Sequence, residues 1–414
     1  MKEQLKNHRT ILSNTFFLSV INIIRLLSPF IALPYVIRTI GSERFGEIAF
    51  AQSVTAFSTI IVNFGLDVSA VKNVSQNRTD KSKLSQIVSS VLGVKACLFT
   101  LSALLYAIIV MAVPQFRANY ILFFISFMWA FPEIVFPQFY FQGVERMKLL
   151  TITGFSSILF YLSTLFLFVK SEEDYLLVPI LQIGGVVLSS FVGLYILVAF
   201  EKIKLIVPSR KELLFMFKDS VPFFASRVSI VINQNIAKIV SGLFLGMSEV
   251  AAFELAQKII SAALIPFKMF NQAIYPHNAN KQSNSFAKKA FYLNIAMTIL
   301  ISIGIYILAP VAVKIFAGSD AIVDISISTL RILIGFLFFS SLSLYCGLPT
   351  LVAWGYTKPF NVSVYYSTIT LLCLYTFIYS ADLLQLEFFA FSLMVVEIVI
   401  SGYRYYHCRK YHIL

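Results

Sequence analysis

An all-α integral membrane protein, with twelve transmembrane helices in two six-helix lobes, is the fold class this chain predicts, and three observations predict it. The first is composition. Of 414 residues, 58% are hydrophobic and only 13% charged, and the mean hydropathy is +0.82. Soluble domains carry about 25% charged residues. The second is a series of twelve apolar runs, centred near residues 24, 55, 99, 130, 159, 187, 231, 262, 298, 338, 369 and 394. Each can supply the ~20 residues that a helix needs to cross a bilayer. The runs are continuous rather than alternating, which fits helices and not barrel strands. The third is the placement of Lys and Arg, taken up with the loops below.

The first nine residues are basic and precede an apolar run, as in a signal peptide. That run is too long, contains Asn22 and Arg25, and lacks a small-residue cleavage site, so it reads as a retained first span. Placing both termini inside puts Lys72 to Lys83, Arg146 to Lys148, Lys202 to Lys218, Lys281 to Lys289 and Lys358 in the cytoplasm. The opposite loops hold Glu172-Glu173-Asp174, Asp320 with Asp324, and Asp382 with Glu387. Of the 33 Lys and Arg, 21 then lie inside, 5 outside and 7 within spans. Such a bias fits the positive-inside rule and supports an even number of spans. It also accounts for most of the net charge of +13, so nucleic acid is not an expected partner.

The polar stretch 201–218 divides the spans six and six. It carries Pro208 and then an apolar Leu213–Phe217 run between charges, a pattern for a short interfacial helix. The expected domains are 1–200, an N-terminal six-helix lobe; 201–218, a cytoplasmic linker; and 219–414, a C-terminal six-helix lobe. The halves share a weak repeat at an offset of 205 residues, in which Gly41 meets Gly246, Gly46 meets Ala251, Ala51 meets Ala256 and Gln52 meets Gln257. Six spans per half make these repeats parallel. Transporters built this way bind at the repeat interface.

Seven cations fall inside spans: Arg25, Lys95, Arg227, Lys238, Lys258, Lys268 and Arg331. A cation at the bilayer centre costs at least ~2.5–3.5 kcal/mol, so it usually faces a bundle interior or a watery cavity. A cavity lined by cations takes an anion. Arg227 and Lys238 are eleven residues apart, about three helical turns, and share a face with Gln234. Arg25, Arg227, Gln234, Lys238, Lys258 and Lys268 are therefore the candidate substrate-binding residues. Lys95 and Lys268 lie near span ends, where they either snorkel or line the cavity. Arg331, near the outer end of its span, reads as snorkelling or structural. Glu254 and Lys258, spaced i, i+4, either form a structural ion pair or leave the lysine free. No acid on the first or seventh span is available to neutralise Arg25, Arg227 or Lys238. Glu133, Asp67 and Glu397 are the intramembrane carboxylates and the candidates for proton or sodium coupling. Glu133 lies between Pro132 and Pro137, which should bend its span, and it either couples or pairs with a cation such as Lys95.

Catalytic signatures are missing. There is no GxxxxGK[ST] loop, GxSxG, HExxH or paired-Cys motif, and no outer loop is long enough for a catalytic domain. Cys97, Cys346, Cys373 and Cys408 are scattered, and His407 and His412 read as a solvated basic tail. The chain is expected to be no enzyme, and to hold no metal or cofactor.

Several segments carry a resemblance. Residues 33–52 (LPYVIRTIGSERFGEIAFAQ), Asn63 to Ala70 with Asn77-Arg78 and Asp80-Lys81, and residues 136–148 (FPQFYFQGVERMK) resemble signatures of the Wzx O-antigen flippases. These form the polysaccharide transporter branch of the multidrug/oligosaccharidyl-lipid/polysaccharide exporter superfamily. In the second half the similarity rests on the span pattern and on Asp219 to Phe224. The resemblance implies two six-helix lobes around a central cavity. It implies an undecaprenyl-diphosphate-linked oligosaccharide as cargo, moved from the inner to the outer leaflet of the bacterial inner membrane. Related flippases line the cavity with spans one, two, seven and eight, and the candidate cations fall on three of these. A polysaccharide polymerase and a chain-length regulator are implied as membrane partners. The alternatives are a multidrug antiporter or a peptidoglycan-precursor flippase of the same superfamily, and, from another class, a membrane-embedded glycosyltransferase or polymerase.

Overall fold

The computed structural model describes the backbone of residues 2–318 and 322–414, and the side chains of residues 24, 28–318 and 322–414. The side chains of Asn22, Arg25 and Asp320 lie outside the described residues. All regular structure among the described residues is helical, as a chain without water in reach requires. In chain order the helices are α1 Lys2–Asn63, α2 Leu66–Gln76, α3 Lys81–Ala112, α4 Pro114–Ala118, α5 Tyr120–Phe127, α6 Pro132–Val135, α7 Gln138–Gly143, α8 Met147–Phe168 and α9 Leu177–Tyr195. There follow α10 Arg210–Phe244, α11 Met247–Ala263, α12 Ile265–Lys281, α13 Asn284–Ala317, α14 Val323–Cys346, α15 Thr357–Ser380 and α16 Leu386–Lys410. Ten stretches among the described residues are long and apolar enough to cross a membrane. α10 is not among them, because Arg227, Lys238 and a run of amides dilute its apolar character.

Local chemistry sets the breaks. α1 is interrupted at Gly41, whose φ of 81° is open to glycine at no steric cost. A second interruption, at Phe64 and Gly65 (φ 48° and 73°), separates α1 from α2. The expected bend near Glu133 is a fuller fragmentation. A 3-10 turn at Met128–Ala130, the four residues of α6, an extended Phe136 and Pro137 replace one continuous helix. Pro132 and Pro137 lack the N–H groups that would carry the helix through. α3 starts at Asp80, whose carboxylate accepts from the N–H groups of Ser82 and Lys83, both at 3.0 Å. α10 starts on a capping box. Ser209 N–H donates to Glu212 (2.7 Å) and Glu212 N–H donates to the Ser209 hydroxyl (3.3 Å).

Two compact units divide the chain. One holds residues 1–40 and 51–228, the other residues 41–50 and 229–414. In the first unit α8 packs on α9 and α2 on α7, over a core that includes Leu66, Val74, Val88, Phe139 and Leu197. Near that core Glu201 is buried and takes Tyr140 Oη–H (3.1 Å) and Arg146, while Lys81 Nζ donates to its carbonyl (2.6 Å). In the second unit α14 packs on α11, α13 and α16, and α15 on α16. Its core joins Ile274, Ala287, Tyr345, Leu351 and Cys408. The surface is inverted relative to a soluble protein. Only 11% of the apolar stretch of α13 is buried, and Leu300, Ile303 and Ile307 project outward, as a lipid-facing helix demands.

Candidate functional site

Among the described residues three clusters of charge within the apolar stretches stand out, each within one unit. In the second unit, Lys238 from α10 donates to Glu254 Oε2 at 2.8 Å, and Lys258, one turn further along α11, donates to Glu254 Oε1 at 3.2 Å. Glu254 is buried, so one carboxylate serves two ammonium groups and the cluster keeps a net positive charge. The acid that pairs with Lys238 comes from the next helix, α11, and not from the seventh span. Helix periodicity compares residues on one helix and cannot see such a partner. The i, i+4 pairing of Glu254 with Lys258 is present as well.

The first unit holds the second cluster. Lys95 of α3 is 1% exposed and donates to Asp67 Oδ1 at 3.1 Å and Glu133 Oε2 at 3.3 Å. Asn63 Nδ2 bridges the same two carboxylates, at 2.6 Å to Asp67 Oδ2 and 2.9 Å to Glu133 Oε2. Lys95 does not snorkel, and Glu133 pairs with it. Asp67 follows the break at Gly65, and Glu133 sits in the short α6. Both helix interruptions thus aim carboxylates at one lysine. Arg227 lies close enough to Asp67 to act on it electrostatically.

A third cluster surrounds Glu397 on α16. Ser343 donates to its Oε2 at 2.8 Å, and Arg404 acts on it electrostatically. Arg404 is buried, donates to the Ser363 hydroxyl and the Ser343 carbonyl (2.8 Å each), and stacks on Phe360. Counted by sequence among the cytoplasmic tail charges, it belongs instead to the helix packing. Its place in α16, one helical turn before His407 and Cys408, carries no signal that would have set it apart. Asn63 was missed for the same reason: an amide in an apolar run is common.

The remaining candidates are more open. Arg227, Gln234 and Lys268 are exposed, and Arg331 lies over the Tyr306 ring at 4.9 Å. Within the second unit one carboxylate shares two lysines, which leaves one ammonium charge unneutralised. Each ammonium has three N–H groups, and Glu254 uses one of each. Among the described residues no group of three His, Cys, Asp or Glu side chains is arranged to hold a metal ion.

Helices long and apolar enough to cross a bilayer, broken within their apolar stretches and carrying paired charges inside, are the elements from which membrane transporters are built. The chain belongs to the polysaccharide biosynthesis protein family, whose model matches residues 11–282. Two relatives are each named "Putative O-antigen transporter". The one from Escherichia coli (strain K12) is 24% identical over 366 residues, covering 86% of each chain. That from Shigella dysenteriae is 26% identical over 313 residues, covering 74% of this chain and 78% of its own. Among solved structures, a multidrug resistance MATE family transporter of the MOP superfamily, in an inward-facing conformation, superposes with a TM-score of 0.71. It is 15% identical and covers 93% of this chain and 94% of its own. The lipid II flippase MurJ, in an inward closed conformation, gives a TM-score of 0.66 at 16% identity, covering 94% of this chain and 87% of its own. At such identities these two structures bear on the fold alone. The family match and the relatives agree with the resemblance carried by residues 33–52 and 136–148.

Proposed function

We propose that this protein is a flippase for undecaprenyl-diphosphate-linked oligosaccharides of the O-antigen type, moving them from the inner to the outer leaflet of a bacterial inner membrane. The observation that carries this reading is the Lys238–Glu254–Lys258 cluster, a buried carboxylate shared by two lysines with net positive charge, in a chain of the polysaccharide family. The cargo diphosphate would compete with Glu254 for the two ammonium groups, and Arg227, Lys268 and Arg25 would extend the cationic path. Charges in a medium of low dielectric attract strongly, which favours a diphosphate over a neutral sugar. The polyprenyl tail stays in lipid while the head group crosses.

On this reading the chain crosses the membrane twelve times, the two further crossings being supplied by the start of α1 and by α10. Both termini are cytoplasmic, and the lobes are 1–200 and 219–414. The mechanism is alternating exposure of the cationic site to the two leaflets, without covalent chemistry. A polymerase that consumes the flipped unit and a chain-length regulator are the expected neighbours. The excess of cations disfavours a multidrug antiporter, whose organic cations need acidic cavities. A peptidoglycan-precursor flippase would share the diphosphate but not the sugar.

The test uses cells deleted for this gene and complemented with wild type, Lys258→Ala, Arg227→Ala or Lys238→Ala at matched protein levels. Inner-leaflet lipid-linked repeat units and surface polysaccharide are both measured. Accumulation inside with loss outside is the expected result. Normal surface polymer in all three variants would remove the cationic site from the path. A peptidoglycan defect with normal O-antigen would favour the second cargo.

A further inference from the structure

We propose that Lys95 is a tethered cation, occupying from the protein's own chain the position where Asp67 and Glu133 would otherwise hold a sodium ion. Two carboxylates converge there. They share one Asn63 amide nitrogen, at 2.6 and 2.9 Å, which holds their oxygens close together. Like charges so placed need a cation, and the Lys95 ammonium supplies it at 3.1 and 3.3 Å. Each carboxylate sits beside a helix interruption, Asp67 after Gly65 and Glu133 before Pro137. Interrupted helices that bring oxygen ligands together are where secondary transporters bind coupling ions. Here the position is already taken: the ammonium is 1% exposed and lies 5.8 Å from the centroid of the Phe139 ring.

Charge counting points the same way. The Lys95 ammonium offsets one of the two carboxylate charges and contacts both groups, so its place is not open to an added ion. Loss of that ammonium leaves both carboxylates uncompensated in a space that a sodium ion fills. Oxygen ligands from two carboxylates suit a hard cation. Lys95 therefore sets the ion requirement of this unit: the wild-type protein takes no sodium here, and whatever drives transport does not enter by this route.

The experiment uses the purified full-length protein in detergent and needs no cargo, so it stands or falls apart from the flippase reading. Thermal unfolding is recorded in sodium chloride and in choline chloride at equal ionic strength, for wild type, Lys95→Ala, Lys95→Arg, Asp67→Asn and the double variant Lys95→Ala/Asp67→Asn. A ligand that binds only the folded state raises Tm. Wild type and Lys95→Arg should show no sodium-specific shift. Lys95→Ala should gain one of about 3 °C or more. The double variant, which is rebalanced in charge and so guards against simple misfolding, should lose the gain. If Lys95→Ala folds only in sodium, the proposal is equally supported. It is overturned by a sodium-specific shift in wild type that Asp67→Asn abolishes. It is overturned also if Lys95→Ala folds without gaining a sodium response, or fails to fold in either salt while the double variant folds in both and responds to sodium.

Discussion

Glu254 is the residue on which the second unit's charges turn. Removing one partner of a buried ion pair costs about 3–5 kcal/mol, because the other charge stays buried without compensation. Glu254→Ala strands Lys238 and should lower stability by an amount in that range. Lys238→Met leaves Glu254 with Lys258 and should cost much less. Thermal unfolding of the two variants in detergent checks the order. A reversed order would mean that Lys258 alone does not satisfy the carboxylate. Asp67 and Glu133 obey the same rule around Lys95. The seven intramembrane cations and three carboxylates were legible as residues in the sequence. Their pairing was not, since Lys95 meets Asp67 across 28 positions and Lys238 meets Glu254 across 16.

At the scale of elements, the close approaches are set by glycine. A Cβ at Gly46 would collide with the carbonyl of Met247 at the start of α11, whereas one at Gly304 in α13 meets nothing within 4 Å. Gly46→Ala should therefore destabilise, while Gly304→Ala should stabilise by about 0.4–1 kcal/mol by restricting the unfolded chain. Opposite signs in the Tm shifts are the check. The first turn of α10 gives a pH test. The N–H of Ser209, with its hydroxyl, holds the exposed Glu212 carboxyl below its ordinary value. A depressed carboxyl contributes stability above its unfolded value and loses it as pH falls through the folded one. The protection of that turn's amides, taken relative to the intrinsic exchange rate at each pH, should then fall as pH drops below the ordinary carboxylate range, and Glu212→Gln should flatten the dependence. The aligned glycines of the two halves also fall at corresponding breaks. Gly41 interrupts α1, and Gly246 separates α10 from α11. Punctuation of this kind is readable from sequence because glycine acts locally.

For the molecule as a transporter, function and stability should separate by residue. Lys268 and Arg227 are exposed, so Lys268→Gln and Arg227→Gln should leave Tm nearly unchanged. If they contact the cargo diphosphate, each loses a charged contact worth about 2–5 kcal/mol, which lowers surface polymer by about tenfold or more. Glu254→Ala should change both readouts. Quantitative immunoblotting against surface polysaccharide yield distinguishes these cases. Equal yields for Lys268→Gln and wild type would take α12 off the cargo path.

Sequence alone determined that the chain is helical and membrane-embedded, where its apolar runs and glycine breaks fall, and to which family it belongs. These depend on composition, on local backbone preference and on contiguous motifs, all of which act over a few residues. Only the tertiary structure decided which charges are spoken for. It turned Lys95 from a candidate snorkelling residue into the most enclosed cation among the described residues of the first unit, and gave Lys238 a carboxylate from α11. It also drew Arg404 out of the basic tail and into the packing of α14, α15 and α16. An ion pair inside a bilayer is fixed by where helices meet, and no period in a single helix records that meeting.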